Sequence, residues 1–67
     1  MIGIVKWFDD KRGYGFITGK DGVDTYVHYT AIVSDGYRTL KHNWRVEYDV
    51  VVDDGGRVEA RNVKPIR

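Results

Sequence analysis

The chain has 67 residues, no cysteine and a net charge of +1, with 42% hydrophobic and 31% charged side chains. That length leaves room for one domain, spanning 1–67, with one small core, and the missing cysteines exclude a disulfide framework and a thiolate metal site. No apolar run approaches the roughly 18 residues of a membrane span and no signal peptide is visible, so a cytoplasmic setting without membrane association is expected.

Short segments rich in Val, Ile, Tyr and Phe alternate with Gly/Asp turns, which predicts strands at 2–8, 13–18, 25–29, 44–52 and 58–66. In the first, simple alternation sets Trp7 against Lys6 and Phe8. All three reach one surface only through a bulge or strong twist, so Phe8 is assigned to the core. In the second, Tyr14 and Phe16 share one face and Gly13, Gly15 and Ile17 the other. Lys20-Asp21-Gly22 reads as a hairpin turn, because Asp and Gly tolerate positive φ. In the third, Tyr26 and His28 lie opposite Thr25 and Val27. Residues 31–43 lack alternation and are expected to form a loop or a helical turn. Asp53-Asp54-Gly55-Gly56 marks a second hairpin between the last two strands. Five short strands in so short a chain predict an all-β, five-stranded antiparallel closed barrel, a form without exposed sheet edges.

Parity alone leaves two assignments of inside and outside. Ile17 and Val27 are natural core residues and histidine is not, which favours Tyr14, Phe16, Tyr26 and His28 outward; the reverse would put the rings in the core. Seven of the nine aromatic residues fall between Trp7 and Tyr37. A ring buries about 150–250 Å² when internal, and a domain of about 60 residues buries only about 60% of its unfolded surface, so some of these rings are expected to face water. Exposed rings beside Lys and Arg on one sheet form a stacking platform for unpaired bases. Charge is also uneven: residues 1–20 carry +2, 21–56 carry −4 and 57–67 carry +3. That pattern is compatible with a basic face that steers a polyanion.

Catalysis finds little support. His28 and His42 are the only histidines, and no metalloprotease, EF-hand or phosphate-loop motif is present. Asp9 and Asp10 are strand neighbours that point apart, a poor acid/base pair. No catalytic residue, metal, cofactor or small-molecule substrate is expected. The competing reading is a small β-barrel that binds a protein or peptide, with Trp7, Tyr26 and Trp44 as its hot spot.

The run Lys6-Trp7-Phe8-Asp9-Asp10-Lys11-Arg12-Gly13-Tyr14-Gly15-Phe16-Ile17 resembles the first ribonucleoprotein motif of bacterial cold-shock proteins, usually K-W-F-N-x-x-K-G-F-G-F-I. Asp24-Thr25-Tyr26-Val27-His28-Tyr29-Thr30-Ala31-Ile32 resembles the second, usually D-V-F-V-H-F-S-A-I. The likeness continues through Asp35–Leu40 and Ala60–Val63. It implies an OB-fold barrel that binds single-stranded RNA and DNA, through Lys6, Trp7, Arg12, Tyr14, Phe16, Asp24, Tyr26, His28, Tyr29 and Tyr37. Trp7, Phe16, Tyr26, His28, Tyr29 and Tyr37 would stack under bases, with Tyr14 supporting the platform. Lys6, Arg12 and Arg38 would answer phosphates, and Asp24 a base edge. Lys6 and Trp7 share the binding surface in this family, which implies the distortion that alternation demands. The resemblance also implies RNA-chaperone or regulatory activity in a stress response; a monomer is expected, with the oligomeric state left open by Trp44 as a self- or partner-contact.

Four departures stand out. Tyr14, Tyr26 and Tyr29 occupy usual Phe positions and keep the π-face. Asp9 replaces Asn, removing an amide donor and adding a carboxylate. Arg57-Val58-Glu59-Ala60 replaces G-P-Q-A in the last hairpin. Trp44 stands where Gln is common, as a plug over the barrel end, a self- or partner-contact, or an extra stacking ring.

Overall fold

A computed structural model describes residues 1–34, 36 and 38–66. Its strands are β1 (Ile2–Asp9), β2 (Tyr14–Gly19), β3 (Asp24–His28), β4 (Arg45–Val52) and β5 (Val58–Ile66), with a single 3₁₀ turn at Tyr29–Ala31. They close in the order β1-β2-β3-β5-β4. Every pairing is antiparallel except β3 with β5, which is parallel and has one register pair, Tyr26 with Glu59. A second parallel bridge, Ile32 with Val63, lies beyond the strand. The predicted strands are all present, and their ends shift by one residue wherever local hydrogen bonding decides. Gly13 adopts φ +79° and belongs to the turn before β2. Tyr29 leaves β3 because His28 Nδ1 accepts the Thr30 N–H and caps the 3₁₀ turn. Trp44 precedes β4, its N–H donating to the Lys41 carbonyl.

Both hairpins turn where Asp and Gly forecast. Asp21 Oδ1 accepts the Val23 N–H at 3.0 Å, and Gly22 takes φ +79°. Asp53 Oδ1 accepts from the amides of Gly55 and Arg57, each at 2.9 Å. The Asp side chain thus satisfies backbone donors that the turn leaves unpaired.

The core contains Val5, Ile17, Val27, Ile32, Leu40, Val46, Tyr48, Ala60 and Val63, with Phe8, Ala31 and Trp44 packed against it. Ile17 and Val27 are fully sealed, so the ring-outward parity is the one adopted. Phe8 turns inward as expected. Trp44 is half-buried against the core, which fits the plug over the barrel end among its three expected roles. Gly15 makes the β1–β2 contact possible. A Cβ there would land on the Trp7 carbonyl oxygen and 2.7 Å from Phe8 Cα, so only glycine lets these backbones approach.

Candidate nucleic-acid interface

The register of β1 against β2 slips between Val5 and Trp7, a β-bulge with Lys6 at its centre. An extra residue in one strand reverses the parity that follows it. Lys6 and Trp7 therefore both face outward while Phe8 turns in, the distortion that the family resemblance implies. The bulge has a support that sequence reasoning missed: His42 Nδ1–H donates to the Lys6 carbonyl at 2.7 Å. No local signal links these residues, which lie 36 positions apart.

Past the bulge, Trp7 pairs with Phe16, Phe16 with Tyr26, and Tyr14 with His28, so outward side chains on three strands form one surface. Trp7 lies 5.7 Å from Tyr14 and 5.4 Å from Phe16, centroid to centroid. Tyr26 lies 5.8 Å from Tyr14 and 6.0 Å from Phe16. The rings are tilted or edge-on to one another, at separations where aromatic pairs attract while faces stay open. Tyr14, Phe16, Tyr26 and His28 are half-buried, and Trp7 and Tyr29 are exposed. Tyr29 sits 4.6 Å from the His28 ring, on the space left by Gly13, where a Cβ would come within 2.8 Å of its Cδ1.

The polar groups flank these rings. Lys6 Nζ is 2.7 Å from Asp24 Oδ2, and the Thr18 hydroxyl donates to Asp24 Oδ1 at 2.7 Å. Lys6, and after it Thr18, hold the Asp24 carboxyl below the usual carboxylate range. Two residues expected to contact ligand separately thus engage each other. Asp9 shapes the β1–β2 turn, its Oδ1 accepting the amides of Lys11 and Arg12 at 2.9 and 3.1 Å. Arg12 extends from that turn, 3.8 Å from Asp9 Oδ2. Arg38 and Arg12 line one depression with Tyr29. The Thr39 hydroxyl donates to Asp10 Oδ1, joining the long loop to the same turn. Tyr37 lies outside the described residues. Among the described residues, no group of three His, Asp or Glu side chains is placed to hold a metal ion, and no helix is long and apolar enough to cross a membrane.

A second depression, of about 640 Å³, lies at the β3–β5 seam, between Tyr26 and His28 on one side and Arg57, Glu59 and Arg61 on the other. In sequence this hairpin stands out only as a departure from the family pattern. A one-pair parallel contact between distant strands leaves no periodic trace that would reveal the groove.

The family model for the 'Cold-shock' DNA-binding domain matches residues 1–66. The chain is 52% identical over 66 residues to a cold shock-like protein of Thermotoga maritima, covering 98% of each. It is 49% identical over 63 residues to cold shock protein 2 of Lactiplantibacillus plantarum, covering 94% of each. In fold it matches the solved structure of Drosophila Unr CSD456 with a TM-score of 0.75 at 20% identity, over 98% of this chain and 26% of that one. With motif order, barrel topology and whole-length likeness in agreement, the chain belongs to the cold-shock domain family, a nucleic-acid-binding family built on a five-stranded OB-type barrel.

Proposed function

We propose that residues 1–67 act as one domain that binds single-stranded RNA and DNA, with little sequence preference, by stacking bases on Trp7, Phe16, Tyr26, His28 and Tyr29. The observation that carries this reading is the unbroken set of rings on the outward face of β1, β2 and β3. Tyr14 braces the set, and Tyr37 is assigned to it from the family motif alone. Lys6, Arg12 and Arg38 neutralise phosphates, and Asp24 accepts from a base edge once Lys6 turns to the strand. Each stacked base contributes about 1–3 kcal/mol by alanine substitution. In a duplex the base faces are already covered, so the platform engages unpaired strands only. Binding then draws RNA toward open forms by mass action, which is chaperone activity without ATP or any catalytic group. The protein works as a cytoplasmic monomer in this reading.

Titration of a short oligothymidine against intrinsic fluorescence tests it. Stacking on Trp7 is expected to quench emission, with a duplex of the same length a poor competitor. Unchanged emission and no binding would discard the platform in favour of a protein- or peptide-binding surface.

A further inference from the structure

We propose that Glu59 makes the groove at the β3–β5 seam a guanine-selecting position, an inference that rests on the single-strand reading above. Glu59 is the register partner of Tyr26, so the two side chains leave the barrel on the same face. Both line the 640 Å³ groove together with His28, Arg57 and Arg61. A base stacked on Tyr26 or His28 therefore presents its edge toward β5.

The polar lining suits a base edge better than a phosphate. Two carboxylates, Asp53 and Glu59, share the groove with the two arginines. Asp53 directs its Oδ1 to turn amides, whereas Glu59 is held, among the described residues, by Arg61. Arg61 places both Nε, at 3.1 Å, and Nη2, at 2.5 Å, on Glu59 Oε1. The Glu59 side chain is only 23% exposed and is pinned through Oε1, while Oε2 has no hydrogen-bond partner among the described residues. An ionised carboxylate only accepts. Thymine and uracil offer one N–H between two carbonyl oxygens, whose lone pairs a carboxylate repels. Cytosine and adenine each set an amino donor beside a ring-nitrogen lone pair. Guanine alone sets two donors side by side, N1–H and the 2-amino group, and both can converge on Oε2 while Arg61 keeps Oε1. Single strands leave these Watson–Crick edges open to such readout, and a contact that takes two donors at once discriminates between bases.

The test compares an all-thymine oligonucleotide with the same strand carrying one guanine at each position in turn, and one inosine at the preferred position. For the unmodified protein, a single guanine is expected to tighten binding about tenfold. Inosine keeps N1–H but lacks the 2-amino group, and should lose most of that gain. Glu59→Gln, which restores the residue usual at this place in the family, should abolish the guanine preference without weakening binding of the all-thymine strand. Equal affinity for the thymine and guanine strands would overturn the proposal, as would a preference that survives in Glu59→Gln or is unaffected by inosine. The inosine arm needs no variant, so it stands even if the substitution disturbs folding. Failure of every strand to bind defeats the single-strand reading itself, and this proposal with it.

Discussion

On the wall formed by β1, β2 and β3, the outward positions Trp7, Tyr14, Phe16, Tyr26 and His28 carry rings. On the wall formed by β4 and β5, Arg45, Glu47, Arg61 and Lys64 carry charge, with Glu47 opposite Lys64 and Asp49 opposite Arg61. Inward, the two walls are alike: Val5, Ile17 and Val27 meet Val46, Tyr48, Ala60 and Val63 in one core. The barrel closes over either kind of outer surface, so folding does not require rings at the outward positions. The β4–β5 wall also exposes Val50, Val51, Val52, Val58 and Ile66, so it mixes charge with aliphatic side chains as ordinary surfaces do. The ringed wall differs in gathering flat aromatic faces side by side at the solvent boundary.

The largest expected effect breaks that contrast directly. Phe16→Ala with Tyr26→Ala should weaken oligonucleotide binding by about 2–6 kcal/mol, from two stacking sites, while circular dichroism still reports a folded barrel. Glu47→Ala with Lys64→Ala on the other wall should leave affinity unchanged. If both pairs weaken binding alike, the walls are not functionally distinct.

Gly15→Ala moves the challenge inside the ringed wall. Its methyl would meet the backbone of Trp7 and Phe8, which cannot yield as a flexible side chain can. A loss of about 3 kcal/mol in denaturant unfolding is expected, and a neutral result would mean that β1 and β2 separate easily.

Tyr48→Phe sharpens the picture from the other wall. Among the described residues, the buried Tyr48 hydroxyl makes no hydrogen bond of normal geometry, and removing it should stabilise the barrel by about 1 kcal/mol. Burial chiefly, and then the Asp21 carboxylate, push the phenol above its ordinary pKa, with Thr25 opposing the shift. Below about pH 10 the phenol is neutral in both states and its titration costs nothing. Above that the unfolded phenol ionises first, so native stability falls as pH rises toward the folded value. Urea melts across this range should show the decline in the unmodified protein and a shallower one in Tyr48→Phe.

The smallest effect concerns salt. With Lys6, Arg12 and Arg38 all neutralising phosphates, log K against log[salt] should slope at about −2. If Lys6 keeps its bond to Asp24 in the complex, the slope falls to about −1.4. Asp24→Asn frees the lysine and should restore the steeper value.

The ringed wall is also the more legible one in sequence. Its contacts are between neighbouring strands joined by short turns, so alternation in β2 and β3 yields the outward set, and Ile17 and Val27 yield its sign. Alternation leaves Trp7 and Lys6 on opposite faces of β1, and the distortion that brings them together is legible only through the family resemblance. The β3–β5 groove, the His42 bond to Lys6 and the Lys6–Asp24 pair are not legible, because each joins residues with no periodic relation. The part played by Asp9 escapes for a different reason. Its charge draws attention to ligand repulsion, whereas its oxygen serves the turn beside it.

The imidazole of His42 rests on the carbonyl of the residue that throws Trp7 outward. It belongs to the connection leading into β4, outside the ring set. A base that settles on Trp7 and shifts that stretch of β1 must alter the same hydrogen bond from its far end. The His42 ring resonances thus become a natural reporter of occupancy, observable by NMR without a label on the strand or on the rings that hold it.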